Sequence, residues 1–185
     1  MSVRRVTKIG DPILRLVARD LTRAEIVSPE LRRLAEDMID TMHAEDGIGI
    51  AAPQIGEPVQ VAVVEIEESS KRYPGMGSLG VTVFINPRVT VLDEAEQTYW
   101  EGCLSVPNLR GVVHRPRRVR VDYLDLDGHE QSLEAEGFPA TVLQHELDHL
   151  QGVLFVDRVR DTRRLATVEE YQRHWAERPV EEPNI

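Results

Sequence analysis

The alternation of apolar and polar residues first becomes regular after position 28. From there, apolar residues recur three or four positions apart, the spacing that places side chains on one face of an α-helix. These residues are Leu31, Leu34, Ala35, Met38, Ile39 and Met42. Ser28 and Pro29 suit an N-cap and a first helical position. The pattern therefore predicts an amphipathic helix that begins at about Pro29 and ends before Gly47.

A series of short apolar segments follows, separated by polar or turn-forming residues. Their β-branched or alternating pattern predicts strands at 59–66, 81–85, 89–91, 98–100 and 118–126. The last of these leads into Asp127 and Gly128, a dipeptide typical of hairpin turns. Residues 69–80 are rich in glycine and serine and are predicted to form a surface loop.

Two further helices are predicted towards the end of the chain. Pro139 suits the first turn of a helix that runs to about Leu150 and stops at the glycine shortly after it. Thr167 and Glu170 form the capping box of a last helix. Strands in succession, flanked by helices and without βαβ alternation, indicate the α+β class. We expect one domain covering residues 1–185.

Composition and charge narrow the class of protein. The chain has 185 residues, of which 41% are hydrophobic and 29% charged, as in an ordinary globular domain. Its net charge of -10 argues against general affinity for DNA. We see no signal peptide and no apolar run that could cross a membrane. The single cysteine, Cys103, excludes an internal disulfide, so we expect a cytoplasmic protein.

The segment 145–149 reads His-Glu-Leu-Asp-His. Histidines four positions apart on a helix face the same way and can bind one metal ion, with the intervening glutamate available for proton transfer. The alternative is a polar helix whose histidines are only solvated. A catalytic metal site needs a third protein ligand beside His145 and His149.

Three positions can be weighed as the third ligand. A metzincin-like spacing ends on Phe155, which cannot bind a metal. A thermolysin-like spacing reaches Glu169, but the acidic residue expected one turn later is Arg173. Cys103 lies upstream, and a thiolate is a strong ligand for Zn²⁺ or Fe²⁺. A lone cysteine is usually a small buried apolar residue, but beside a two-histidine helix we favour it as the ligand.

A glycine-rich segment precedes the first strand. Residues 47–54 read Gly-Ile-Gly-Ile-Ala-Ala-Pro-Gln. Its small residues allow a ligand or another backbone to approach closely. Gln54 offers an amide that could donate to a developing oxyanion. Taken alone, the segment could equally be a tight connection between a helix and a strand.

Together these three segments resemble the signature motifs of the peptide deformylase family. The motifs stand in the family's order, as Gly-Ile-Gly-Ile-Ala-Ala-Pro-Gln, Glu-Gly-Cys-Leu-Ser and Gln-His-Glu-Leu-Asp-His-Leu-Gln-Gly. The likeness runs from Ile9 to Phe155 and so covers most of the chain. It implies an α+β fold of antiparallel β-sheets packed around a central helix with the His-Glu motif, with helices near both termini.

The resemblance also implies the role of each site residue. Cys103, His145 and His149 correspond to metal ligands, and Glu146 to the general base and acid. Gln54 and the N–H group of Leu104 correspond to oxyanion donors. The positions implied to bind the substrate are Ile48, Gly49, Gly102, Arg110, Phe138, Thr141 and Val142. Of these, Ile48 and Gly102 would pair with the peptide as an added strand, and Arg110 would stand at the mouth of the site.

The implied substrates are N-formylmethionyl peptides and nascent chains, and the implied metal is Fe²⁺, with Zn²⁺ or Ni²⁺ fitting the same ligands. Thr141 places a hydroxyl where the family's pocket is often aliphatic, so we expect a weaker methionine preference. The subtype resembled is the bacterial type 1. Arginines at 158, 160, 163 and 164 form a solvated face or a transient contact with the ribosome.

Two other functions remain open at this point. A peptidase using Glu169 predicts that Cys103 is dispensable and that internal peptide bonds are cut. A structural metal domain normally has four protein ligands, and the sequence offers three. We also predict a salt bridge between Asp148 and Arg115 that orients the helix with the His-Glu motif, because a bidentate arginine fixes the orientation of a carboxylate well.

Overall fold

The computed structural model describes residues 2–66, 78–178 and 180. Its strands are β1 (Gly49–Ala51), β2 (Val61–Ile66), β3 (Leu79–Cys103), β4 (Val106–Leu124), β5 (Glu130–Glu136) and β6 (Leu165–Thr167). Its α-helices are α1 (Arg23–Ile26), α2 (Pro29–Ala44), α3 (Phe138–His149), α4 (Phe155–Arg158) and α5 (Val168–His174). The predicted α+β class is confirmed.

Helix α2 forms where the apolar periodicity predicted it. The Ser28 side chain accepts a hydrogen bond from the Leu31 N–H group, and Pro29 occupies the first turn. The helix ends at Ala44, and the Gly47 N–H group donates to the Met42 carbonyl at 2.9 Å. Gly47 therefore begins the path that leads from α2 into β1.

The described strands form one six-stranded antiparallel sheet in the order β1-β2-β3-β4-β5, with β6 paired to β4. The family resemblance implied several sheets, and the residue pattern predicted separate strands at 81–85, 89–91 and 98–100. They belong to the continuous β3, which bends at shifts of register near residues 85–88, 91–96 and 101–103. The predicted strand 118–126 is likewise the last part of the longer β4.

Strand β2 is buried on both faces, which explains its continuous apolar sequence. Ala62 and Val64 belong to the core cluster that includes Leu143 and Leu150 from α3 and the loop after it. Val61 and Val63 belong to a second cluster with apolar residues of α2. The sheet is therefore covered by α2 on one side and α3 on the other, and α3 is held firmly in the interior.

Three predictions remain: the hairpin turn at Gly128, the N-cap of the last helix, and the loop at 69–80, which lies mostly outside the described residues. Gly128 takes a positive φ of 77° in the hairpin between β4 and β5. Thr167 caps α5 by accepting from the Glu170 N–H group, which is one half of the predicted capping box. Of the predicted loop at 69–80, only 78–80 are described, and Leu79 and Gly80 already belong to β3. Among the described helices, none is long and apolar enough to span a membrane.

Candidate metal centre and active site

The fold brings the side chains of Cys103, His145 and His149 together. All three are buried, and one ligand atom from each lies within 4.8 Å of the others. The Cys103 Sγ and His149 Nε2 atoms are 3.3 Å apart. Helix α3 provides both histidines and the end of β3 provides the thiol. One sulfur and two imidazole donors form a set that suits Zn²⁺ or Fe²⁺.

Glu169, the alternative third ligand, lies elsewhere. Its side chain is 77% exposed and pairs with Arg173 at 3.1 Å on the surface of α5. It is absent from the group of donors that the described residues place around His145 and His149. The geometry therefore selects Cys103 over Glu169 as the partner of the two histidines.

A network of charges, buried at its centre, links helix α3 to the sheet. Arg115 binds both oxygens of Glu101, with Nε–Oε1 at 2.6 Å and Nη2–Oε2 at 2.9 Å. The predicted salt bridge from Arg115 to Asp148 is confirmed, with Nη1–Oδ2 at 2.8 Å. Arg158 also binds Asp148 from the surface. One arginine of β4 therefore links the strand that carries the thiol to the helix that carries the histidines.

Glu101 is a site residue that the sequence reading missed. Its Oε2 atom lies 2.7 Å from His145 Nδ1. Burial disfavours a carboxylate, but the hydrogen bonds from Arg115 and His145 outweigh burial and lower the pKa of Glu101 to about 2. An ionised carboxylate only accepts, so His145 donates from Nδ1 and keeps the Nε2 lone pair for a metal ion. The available signal was its position two residues before Cys103 on the same strand.

The surroundings of Cys103 favour the thiolate form of its side chain. Burial alone would raise its pKa, but the adjacent imidazoles of His149 and His145 lower the pKa well below its usual value. The Ser105 N–H group also donates to Sγ at 3.3 Å. Because the thiolate is the form that binds metals, this environment fits the ligand role.

The Glu146 side chain lies close to Cys103 and the two histidines, but its surroundings differ from those of the Cys103 thiol. It is 5% exposed, and its Oε2 atom is buried without a hydrogen-bond partner. Burial raises the pKa of Glu146 to about 7, despite the nearby histidines. A carboxyl group with this pKa can both accept and return a proton near neutral pH.

Gly49 provides the space for Glu146. A Cβ atom at Gly49 would lie 2.5–2.6 Å from the Oε1, Cδ and Cγ atoms of Glu146. Any side chain there would push the carboxylate away. Gly49 thus lies directly against Glu146, and it also lines a cavity at this centre.

Gln54 is buried and its amide is fixed in one orientation. Its Oε1 atom accepts from the Ala51 N–H group at 2.7 Å. Its Nε2 atom therefore faces Ser105 Oγ at 3.1 Å and Cys103 Sγ at 3.5 Å. The donor end of the amide is thereby directed towards the Cys103 sulfur.

Two adjoining cavities open at this centre. The larger, of about 110 Å³, is lined by Asp46, Gly47, Ile48, Gly49, Gln54, Gly102, Cys103, Leu104, Arg110, His145 and Glu146. The smaller, of about 70 Å³, is lined by Ile48, Tyr99, Trp100, Glu101, Gly102, Phe138, Thr141, Val142, His145 and Glu146. Every substrate-binding position inferred from sequence lines one cavity or the other. The sequence reading missed Tyr99 and Trp100.

Two polar residues of these cavities are already engaged. The Thr141 hydroxyl accepts from Gln97 Nε2 at 2.9 Å, so its polarity is satisfied within the protein. The Arg110 guanidinium lies over Gly102, where an added Cβ atom would be 1.8 Å from Nη1. The absence of a side chain at Gly102 is what allows Arg110 to lie against the strand at the cavity.

We expect Glu101→Gln to weaken both the fold and the metal site. Removal of one partner from a buried ion pair costs roughly 3–5 kcal/mol, and loss of a histidine-orienting carboxylate costs about 10–100-fold in metal affinity. Denaturant unfolding of the metal-free protein and chelator competition measure the two effects. Glu96→Gln is the matched control on β3, because Glu96 pairs with Arg160 at the surface. An equal effect of the two substitutions would contradict the role of Glu101.

Comparison with known proteins gives one consistent family. The family model of the polypeptide deformylases matches residues 3–165. A peptide deformylase of Leptospira biflexa is 44% identical over 163 residues, 88% of this chain and 91% of the relative. Peptide deformylase 2 of Ralstonia nicotianae is 47% identical over 167 residues, 90% of this chain and 93% of the relative.

A solved structure agrees with these relatives. The class I type b peptide deformylase of Acinetobacter baumannii, crystallised with Met-Ala-Ser bound, matches with a TM-score of 0.82 and 41% identity. The match covers 86% of this chain and 100% of that one. The similarity in sequence and in fold therefore extends over most of the chain.

Proposed function

We infer from these matches that the chain belongs to the peptide deformylase family, whose members are metal-dependent hydrolases that remove the formyl group from the N-terminus of nascent polypeptides. We propose that Cys103, His145 and His149 hold the catalytic metal ion. The observation that carries this proposal is the convergence of these three buried donors beside Glu146, whose buried Oε2 atom has no hydrogen-bond partner.

The proposed metal is Fe²⁺, and Zn²⁺ and Ni²⁺ suit the same sulfur and nitrogen ligands. When bound, the metal ion supplies Lewis-acid activation of water and of the formyl carbonyl group. The protein's contribution is a thiolate at Cys103 and an imidazole at His145 whose free nitrogen is fixed by Glu101.

Glu146 is proposed to move the proton. As water adds to the formyl carbon, a Glu146 oxygen accepts a proton from it. The same carboxyl group then donates a proton to the amide nitrogen as the carbon–nitrogen bond breaks, which yields formate and a free N-terminus. The pKa of about 7 that burial gives Glu146 suits both directions of transfer.

Gln54 and Leu104 are proposed to stabilise the oxyanion that develops on the formyl oxygen. The Gln54 Nε2 group is directed at the centre by the bond from Ala51 N–H to Oε1. Leu104 lines the same cavity, one residue beyond Cys103. Preorganised N–H donors of this kind are worth about 10²–10³ in kcat each.

The smaller cavity is proposed to bind the methionine side chain, with Ile48, Phe138 and Val142 in its wall. An unbranched thioether adapts well to a narrow apolar space. The peptide backbone would add as a strand beside Ile48 and Gly102, with Arg110 at the mouth. The Met-Ala-Ser complex of the Acinetobacter baumannii relative supports binding of a peptide by this fold.

We further propose one domain over residues 1–185, a cytoplasmic location, and the class I type b subtype of that relative. Contact with the ribosome has less support. Arg158, Arg160 and Arg163 each form a salt bridge with a carboxylate of this chain. These pairs favour a solvated charged face over a surface reserved for RNA.

The activity is tested by formate release. With Fe²⁺ or Ni²⁺ the protein should release formate from formyl-Met-Ala peptides and leave acetyl-Met-Ala almost untouched, because the acyl carbon must fit between the metal, Gln54 and Leu104. Glycine in place of methionine removes apolar burial of about 1.5–3 kcal/mol and should lower kcat/KM roughly ten- to a hundredfold. Cleavage of internal peptide bonds without formate release would overturn the proposal.

A further inference from the structure

The N-terminal residues 7–9 contact the segments that carry both oxyanion donors. The Thr7 N–H group donates to the Gln54 carbonyl at 2.7 Å, and the Ile9 N–H group donates to the Ser105 carbonyl at 2.7 Å. Between them, the Lys8 ammonium donates to the Leu104 carbonyl at 2.9 Å. Three consecutive residues therefore bridge two segments that are about fifty positions apart in the sequence.

This N-terminal segment is itself anchored on both sides. Before it, the Arg4 N–H group donates to Thr41 Oγ1 of α2 at 2.8 Å, and Val6 is 3% exposed. After it, Asp11 caps the short helical turn Pro12–Arg15 by accepting from the Ile13 N–H group. Residues 7–9 are thus a fixed support and not a loose end.

Lys8 acts on the peptide unit between Leu104 and Ser105. The carbonyl end of this unit accepts from the ammonium, and its N–H end donates to Cys103 Sγ at 3.3 Å. Rotation of the unit would break a hydrogen bond at each end. The N–H group of Leu104 belongs to the peptide unit just before it, so its direction depends on how this unit is held.

We propose that Lys8 is a positioning residue for the oxyanion site, a role that rests on the proposed deformylase mechanism. The Lys8 ammonium holds the Leu104–Ser105 peptide unit by its carbonyl oxygen. The held unit fixes the direction of the Leu104 N–H group and keeps the hydrogen bond from the Ser105 N–H group to Cys103 Sγ. A charged donor forms a stronger bond to a carbonyl than a neutral one. Lys8 lines neither of the two cavities at the centre.

The exposure of Lys8 makes the proposal testable without unfolding the protein. Its side chain is at the surface, and surface substitutions usually change the stability of a protein little. Misplacement of a catalytic donor by a fraction of an ångström is costly, since about 1 Å can cost 10²-fold in rate. A loss of rate without a loss of stability therefore separates positioning from folding.

The experiment compares Lys8→Met, Lys8→Arg and Arg5→Met with the wild-type enzyme. Arg5→Met is the matched control, because Arg5 is an exposed cation three positions before Lys8 that takes no part in the three contacts. We expect Lys8→Met to lower kcat about tenfold with KM and unfolding temperature unchanged. Lys8→Arg, which keeps a cationic donor, and Arg5→Met should each stay within about twofold of wild type.

A spectroscopic measurement makes the test independent of turnover. In the Co²⁺-loaded protein the thiolate-to-cobalt charge-transfer band reports the hydrogen bonds at Cys103. We expect this band to shift in Lys8→Met and to stay unchanged in Arg5→Met. A kcat of Lys8→Met within twofold of wild type would overturn the proposal. If the wild type itself released no formate, the proposed function would fail, and an unchanged cobalt band would then overturn the role of Lys8.

Discussion

Glu146→Gln is expected to lower kcat by about 10³–10⁴ while the protein keeps its fold and its metal. General acid–base catalysis contributes roughly 10²–10⁴, and Glu146 is proposed to transfer protons at both the addition and the cleavage step. Glutamine has nearly the same size and can occupy the space above Gly49. It cannot accept or return a proton, so chemistry is lost and packing is kept.

The measurement pairs steady-state formate release with metal analysis of the purified variant. Glu134→Gln is a suitable control, because Glu134 pairs with Arg118 at the surface of the sheet and the charge change is the same. Loss of the metal in Glu146→Gln would show that Glu146 is a ligand, and the proton-transfer role would then be wrong.

Cys103→Ala is expected to remove the metal and, with it, the activity. The substitution takes away the anionic donor and leaves only His145 and His149, whereas a catalytic site of this kind needs three protein ligands. Loss of a group that only hydrogen-bonds to a metal ligand costs about 10–100-fold in metal affinity, so loss of the thiolate ligand itself should cost more than about 100-fold.

Metal content after dialysis and chelator competition measure this loss. Cys103→Asp serves as the comparison, since it retains an anionic donor at the same position and should keep part of the affinity. Full metal occupancy in Cys103→Ala would mean that another side chain completes the site, and the Cys103 assignment would have to be abandoned.

The motifs predicted the chemistry of the site more completely than its geometry. His145, Glu146 and His149 share one short helical segment, so their relation follows from helical spacing alone. The third ligand did not follow in this way, because Cys103 is more than forty residues upstream and Glu169, the less favoured alternative, is about twenty residues downstream. Only the packing of α3 against the sheet brings one of them to the histidines.

Glu101, Tyr99, Trp100 and Lys8 show what the sequence reading lacked. Each contributes through a partner far away in the chain, and local periodicity does not reveal such a partner. Glu101 acts through His145 and Arg115. Tyr99 and Trp100 reach the smaller cavity only because β3 passes beside α3.

The sequence by itself determined α2, the strand β2, the α+β class, and the candidate groups for metal binding and proton transfer. These depend on local periodicity and on the intrinsic chemistry of side chains. The tertiary structure decided that the short apolar segments of β3 form one bent strand, because pairing with β2 and β4 compensates for its polar stretches. The tertiary structure also decided that Glu101 is ionised and that the pKa of Glu146 is about 7. Burial and neighbouring charges set these pKa values, and both arise only when distant segments pack together.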